Sequence, residues 1–231
     1  MPESVLITGA GHRVGAVIAK HLAAKGCFVR LHYHSAEADA LALRDEIRAA
    51  GGRADVIRAD LRDLSEIDRM IDAVRGDEVT VLINSASLFR PGTLSEASPE
   101  NWDDVMNVGL RAVWYLTDRL AASCPSLRRV INIGDANVSR GYKRHALYGL
   151  AKAALEYLTR QQAVLYAPRI AVSLIEPSLL LKGDDESDET WRRRCERLKT
   201  NETVGMNSLL AEIDGSVFGP ACESQHQLIQ E

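Results

Sequence analysis

The sequence predicts an α/β protein: one doubly wound parallel sheet with helices on both faces, in three αβα layers. Three observations lead there. Short β-branched runs alternate with longer amphipathic stretches along most of the chain. Those short runs carry almost no polar alternation, as expected for strands covered on both faces. A glycine cluster follows the first run and opens a helical pattern.

The elements follow in order. Strands are expected at Ser4–Thr8, Phe28–Tyr33, Ala54–Arg58, Val79–Ile83, Arg129–Ile133 and Ala171–Ile175. Amphipathic helices are expected at Val14–Lys25, Ala36–Ala50, Leu64–Val74, Asn101–Ala122 and Leu147–Tyr166. After the sixth strand the alternation breaks. The acidic run Gly183–Glu189, followed by Trp191–Lys199, reads as a loop plus a charged helix inserted beside the carboxyl edge of the sheet, near residues 178–205. No repeat and no low-complexity linker divides the 231 residues, so a single domain spanning 1–231 is expected.

Composition narrows the function classes. With 46% hydrophobic and 26% charged residues, the balance is that of a soluble globular chain. A net charge of -4 gives no basis for a nucleic-acid or anionic-membrane partner. No apolar run approaches the roughly 20 residues that span a bilayer. The opening MPESVLITGAG enters a strand pattern with no basic leader, so a cytoplasmic location is expected. Cys27, Cys124, Cys195 and Cys222 contain no CxxC pair, which argues against a disulfide framework or a zinc site.

The segment Thr8-Gly9-Ala10-Gly11-His12-Arg13-Val14-Gly15 has the chemistry of a dinucleotide cradle. Glycines between a strand and a helix let the backbone approach a pyrophosphate, which sits on the helix N-terminus. The second strand ends Leu31-His32-Tyr33-His34-Ser35, with no carboxylate before Glu37. A carboxylate there would bind a ribose 2′-hydroxyl and repel a 2′-phosphate. His34, Ser35 and Arg13 instead offer donors to that phosphate, which favours NADPH. The bland alternative is that His34 and Ser35 only begin a turn and cap the next helix. Asp60-Leu61, after the third strand, suits an adenine edge, although Asp60 alone also reads as a strand-end turn residue.

Further along, Asn84-Ser85-Ala86-Ser87 closes the fourth strand and leads into Phe89. Asn107 falls inside a helical pattern, where it would hold a water and bend the helix. Asp135 follows the fifth strand. Tyr148 and Lys152 are four residues apart, on one face of the next helix. A phenol and an ammonium so placed make a proton donor if the ammonium lowers the phenol's pKa. Such a pair usually has a serine about a dozen residues upstream. Here Asp135, thirteen residues before Tyr148, takes that place, and Ser139 is too near to match it.

Together, Thr8-Gly9…Gly15, Asn84-Ser85-Ala86-Ser87, Asn107 and Tyr148-x-x-x-Lys152 resemble the short-chain dehydrogenase/reductase family over about residues 4 to 180. The resemblance implies a Rossmann-like fold, a homo-oligomer (tetramer or dimer), and coenzyme contacts at Gly9, Arg13, Val14, Gly15, His34, Ser35, Asp60, Leu61, Asn84, Ala86, Ser87, Tyr148, Lys152, Pro177 and Ser178. It is similar in detail to the pteridine reductases, including dihydromonapterin reductases. Arg13, Tyr33-His34-Ser35-Ala36, Phe89, Asp135 and Pro177-Ser178-Leu179-Leu180 carry that likeness.

That resemblance implies NADPH-dependent reduction of a dihydropterin: dihydromonapterin, dihydrobiopterin or dihydrofolate. Asp135, Tyr148, Lys152 and Asn107 would be catalytic; Arg13, Ser87, Phe89, Asp135 and Tyr148 would meet the substrate. A ring C=N bond needs its nitrogen protonated, which gives an acidic group beside the phenol a purpose that a carbonyl substrate does not. Phe89 would stack on the flat ring, or be an ordinary core aromatic. Two departures stand against the pattern. The tail Gly215-Ser216-Val217-Phe218-Gly219-Pro220-Ala221-Cys222 lacks the family's Asp-Gly-Gly end, with Phe218-Gly219-Pro220 as its nearest match to the closing turn. Tyr142-Lys143-Arg144-His145 makes the loop before Tyr148 basic, which would attract an acidic substrate group or, more simply, be a solvated loop. The rivals are a reductase of another carbonyl or imine, and a catalytically silent NADPH-binding regulatory protein.

Overall fold

The computed structural model describes residues 3–75, 79–178, 182, 187–198 and 202–219. Six parallel strands form one sheet in the order β3-β2-β1-β4-β5-β6. They are β1 Ser4–Thr8, β2 Phe28–Tyr33, β3 Arg53–Arg58, β4 Val81–Asn84, β5 Arg129–Ile133 and β6 Ala171–Ile175. The chain winds outward from β1 to β3, then crosses back to β4 and winds the other way. The carboxyl ends of β1 and β4 therefore flank the switch point, where open α/β sheets bind ligands. Register lines Thr8, Asn84 and Asn132 into one row across β1, β4 and β5.

Alternate strand residues feed two cores. Val5, Ile7, Val81, Ile83 and Ile131 face one layer, and Leu6, Leu82 and Val130 face the other. The first layer holds α1 Arg13–Ala24 and α2 Glu37–Ala49, which bury Ile18, Leu22, Leu43 and Ile47. The second holds α3 Leu64–Arg75 and α5 Ala112–Ser123, which bury Ile67, Met70, Leu116 and Leu120. α6 Ala146–Tyr166 also lies on this second side, with Ala163 and Tyr166 against its core. Each fully buried Leu or Ile contributes about 1.5–3 kcal/mol relative to exposure, so the two apolar layers hold the sheet.

The structure corrects three expectations. β4 starts at Val81 rather than Val79, because Thr80 pairs locally with Ser4, accepting from its N–H at Oγ1 (3.0 Å). The stretch Asn101–Ala122 is not one uniform helix. α4 Pro99–Met106 passes into α5 through a π-helical turn over Asn107–Arg111. One residue too many for regular i→i−4 bonding widens the turn. Finally, of the expected turn Phe218-Gly219-Pro220, Phe218 is still helical and Pro220 lies outside the described residues. Phe218 ends α8 Glu202–Phe218, whose Leu209, Ile213 and Val217 are buried in the first core.

A charged helix is present as α7 Asp188–Leu198; it begins within the expected acidic loop, at Asp188, and Lys199 lies outside the described residues. Leu179, Leu180, residues 183–186 of the acidic run and the tail from Pro220 lie outside the described residues. Among the described residues, no helix is long and apolar enough to cross a membrane.

Candidate active site

The glycine loop is held by its neighbours. Gly9 has φ +65, and a Cβ there would lie 2.8 Å from the Ala86 Cα. A Cβ on Gly15 would lie 2.4 Å from the Gly9 carbonyl oxygen, so only glycine lets the first turn of α1 cross the loop. The Gly9 N–H donates to His32 Nδ1 at 3.1 Å, and the other ring nitrogen, Nε2, lies 3.0 Å from the Ala59 carbonyl. Nδ1 accepts, so Nε2 carries the proton and donates to Ala59. Burial pushes His32 down to about 4, which keeps the ring neutral. His32 ties β2, the loop after β3 and the glycine loop together. Sequence reasoning passed over it; the signal was a polar ring, beside Arg30, in a strand of otherwise large apolar and aromatic residues.

Arg13, with φ 55, is the one non-glycine with positive φ among the described residues. Its exposed guanidinium reaches the Lys182 carbonyl at 3.5 Å, across the strand ends. Val14 is half-buried behind it. His34 and Ser35 are exposed at the end of β2, and His34 Nε2 lies 3.4 Å from Asp60 Oδ2. Arg62 grips both oxygens of Asp60 at 2.8–3.1 Å and holds that carboxyl down at about 2. Asp60 is thus anchored beside buried Leu61, at the outer end of the edge.

At the switch point, Thr8 Oγ1 accepts from the Ser85 and Ala86 N–H groups at 3.0 and 3.1 Å. Buried Asn84 donates to Asn132 Oδ1 at 2.8 Å, and Asn132 donates to Thr159 Oγ1 on α6 at 2.9 Å. This chain of amides fixes α6 to the strand ends. It also explains why polar Asn132 and Thr159 are tolerated at nearly zero exposure. Ser87 is exposed just beyond.

The second half of the edge is built around one carboxylate. Asp135 Oδ2 accepts from the Tyr148 hydroxyl and from the Tyr142 hydroxyl, each at 2.7 Å. Asp135 Oδ1 accepts from the Asn137 N–H at 2.8 Å and from its side-chain amide at 3.1 Å. The same amide donates to the Ser178 carbonyl at 2.9 Å, linking Asp135 to the Pro177–Ser178 turn after β6. Lys152 is fully buried and donates to the Ile133 carbonyl at 2.5 Å. Burial pushes its ammonium down to about 8, partly opposed by Asp135.

Here one expectation fails. Tyr148 lies well above the ordinary phenol value, driven first by burial, then by the charge and hydrogen bond of Asp135. Lys152 Nζ is 5.7 Å from the Tyr148 ring centroid, and desolvation together with the nearby carboxylate outweighs its charge.

Phe89 is half-exposed above this cluster. Its ring stacks on His145 (3.7 Å between centroids) and meets Tyr148 edge-on at 4.7 Å. The loop carrying it is pinned to the N-terminus of α6. The Gly92 N–H donates to the Arg144 carbonyl at 2.7 Å, and the Ala146 N–H donates to the Gly92 carbonyl at 3.2 Å. The exposed Ser139 makes no approach to Tyr148 that competes with Asp135. Asn107 heads the π-helical turn that packs on α6. With Met106, Leu110, Trp114 and Tyr157 it lines an open apolar hollow of about 570 Å³.

A glycine cradle at the switch point, with a buried tyrosine–lysine pair on the following side, defines a dinucleotide-type oxidoreductase. The chain belongs to the short chain dehydrogenase family, whose profile matches residues 3–191. It is 36% identical over 179 residues to a hydroxynaphthalene reductase-like protein of Metarhizium robertsii, covering 74% of this chain and 66% of that protein. It is 30% identical over 196 residues to the 3-oxoacyl-[acyl-carrier-protein] reductase of Staphylococcus aureus, covering 82% and 80%. Among solved structures, it is similar to the alternative dihydrofolate reductase 1 of Brucella canis complexed with NADP. That match has TM-score 0.80 and 27% identity, over 89% of this chain and 85% of the other. A short chain dehydrogenase of Burkholderia cenocepacia, also in complex with NADP, matches with TM-score 0.82 and 28% identity, over 92% and 89%.

Proposed function

We propose that this chain binds NADPH and reduces the C=N bond of a dihydropterin, in the class of dihydromonapterin, dihydrobiopterin or dihydrofolate. The observation that carries the reading is the 2.7 Å bond between the Tyr148 hydroxyl and Asp135 Oδ2. The Brucella relative's description supports it.

The residues fit the coenzyme. Gly9, Val14 and Gly15 bring the first turn of α1, with its unbonded N–H groups, to the strand edge, where a pyrophosphate is stabilised. Arg13, His34 and Ser35 form the 2′-phosphate side, and Asp60 with Leu61 the adenine side. Asn84, Ala86, Ser87, Pro177 and Ser178 border the nicotinamide side, and Lys152 holds its ribose. When bound, NADPH supplies the hydride for the imine carbon.

The chain's own residues handle the proton. Tyr148 and Asp135 share one proton along a short line, and either oxygen presents it to the substrate nitrogen. Phe89 supplies a flat wall, its far face covered by His145, so planar heterocycles fit better than bulky ketones. Arg13 and Ser87 complete the substrate side. Asn107 shapes the turn beside Lys152 and supports a water path to it. We assign the protein to the cytoplasm, where the thiols of Cys27 and Cys124 stay free. We read α7 with its flanking segment as a substrate-side insertion in a single domain. Exposed Trp114 and Tyr157 around the apolar hollow favour a homo-oligomer, tetramer or dimer.

The test is NADPH oxidation with the three dihydropterins beside a panel of simple ketones. Turnover of a dihydropterin is expected, and Asp135→Ser should cut it to a small residual rate while NADPH binding persists. Activity on ketones alone refutes the pterin reading. It would favour the second one, a carbonyl reductase, to which the names of the fungal and staphylococcal relatives point.

A further inference from the structure

We infer that Tyr142 is a positioning residue for the Asp135–Tyr148 pair: it keeps the shared carboxylate oxygen partnered while Tyr148 turns to the substrate. This rests on the reading of Asp135 and Tyr148 as the proton-holding pair. Both phenols lie 2.7 Å from the same Oδ2 atom. Asn137 occupies Oδ1 with two donors, so the carboxylate accepts four hydrogen bonds in all.

The physical problem is competition. A carboxylate 2.7 Å from a phenol competes with any substrate nitrogen for that phenol's proton. If Tyr148 were its only partner at Oδ2, each delivery would strand a half-buried charge, which is costly. A second phenol on that oxygen removes the penalty. Its negative charge is divided between two donors, each bond is weaker than one alone, and Tyr142 remains when Tyr148 leaves.

The surroundings place Tyr142 for this task. A Cβ on Gly149 would lie 3.1 Å from Tyr142 Cδ2, so the ring packs closely against the backbone directly after Tyr148. Tyr148 meets it edge-on at 5.4 Å, and Phe89 and His145 at 6.2 Å each. The charges and polar groups facing its hydroxyl are Asp135, the Asn137 side chain and, from α7, Arg194. Burial and Asp135 together push this phenol well up, opposed by Asn137 and Arg194.

Tyr142→Phe keeps the ring and its packing and removes only the hydroxyl. Its kcat on whichever substrate the protein reduces should fall about ten-fold, with the NADPH KM unchanged and the melting temperature lowered by only a few degrees. Placed on Asp135→Ser, the same substitution should have no effect, because there is no carboxylate left to serve. Wild-type turnover in Tyr142→Phe, or an equal loss in both backgrounds, overturns the assignment.

An ultraviolet phenolate titration gives a readout free of any substrate. Asp135→Asn should lower two phenols, which burial still holds above the ordinary tyrosine range, and the further change Tyr142→Phe should leave one. Release of a single phenol by Asp135→Asn overturns the shared-oxygen arrangement even if the pterin reading holds. Release of two, with no pterin turnover, keeps the arrangement and refutes the substrate.

Discussion

On the β1–β3 side of the carboxyl edge, the contacts that shape the cradle end on main-chain atoms. Gly9 N–H meets a neutral His32, Thr8 accepts two backbone N–H groups, and Gly15 is fitted against the Gly9 carbonyl. On the β4–β6 side, one side chain does the organising. Asp135 takes four donors from three residues, two of them phenols on a single oxygen. A backbone-built cradle has one geometry and no proton to move. A side-chain cluster of acid, phenols and a buried ammonium can exchange protons, but any one atom removed changes all the others. The difference separates holding from chemistry, and substitutions on the two sides should fail in different measurements.

The largest effect is expected from Tyr148→Phe. The aromatic packing against Phe89 survives and only the proton holder is lost, so kcat should drop about a thousand-fold. NADPH affinity, read by quenching of protein fluorescence, should stay as in the wild type. If binding falls together with turnover, the two sides are not separable and the comparison breaks.

The pH dependence sharpens it next. Lys152, at about 8 in the folded protein, loses its proton in an accessible range. If the ammonium is the working form, kcat/KM falls as pH rises through about 8. Stability runs the opposite way. The folded value lies below the ordinary 10.5, so the cost of burying the charge is fully present below pH 8 and fades between about 8 and 10.5. Over that window the urea midpoint of the wild type should rise relative to Lys152→Met. A flat difference would mean that Lys152 stays charged throughout.

Most of the fold was legible because its signals are local. Short apolar and β-branched runs located all six strands, four of them to the residue, and the glycine turn marked the coenzyme side. α8 was not read, although Met206, Leu209, Ile213 and Val217 recur at helical spacing. Gly205, Asn207 and Gly215 lower its propensity, and only burial against the first core makes it a helix. At the site, Tyr148, Lys152 and Asp135 were legible because fixed spacing joins them. Tyr142 was read as part of a solvated basic loop, since nothing in Tyr-Lys-Arg-His shows that the ring turns inward onto Gly149. His32 was missed for a similar reason: its two partners come from other elements, 23 and 27 residues away. The expectation that Lys152 lowers Tyr148 failed because sequence spacing reports proximity, not the desolvation that outweighs it.

The smallest effect tests the cradle side at its one strained residue. Arg13→Gly relieves a left-handed backbone conformation that costs an L side chain about 1–2 kcal/mol. Glycine's larger unfolded-state entropy takes back about 0.4–1 kcal/mol. The two nearly cancel, so the melting temperature should move by no more than about 3 °C, and upward if at all. NADPH affinity should fall about five-fold, the scale of one exposed charge-assisted contact to a phosphate, while NADH affinity should not change. A large fall in melting temperature would show that the arginine holds the loop itself, through its reach to the Lys182 carbonyl. The cradle would then depend on a charged side chain besides the neutral His32 and Thr8, and the contrast between the two halves of the edge would narrow to one of degree.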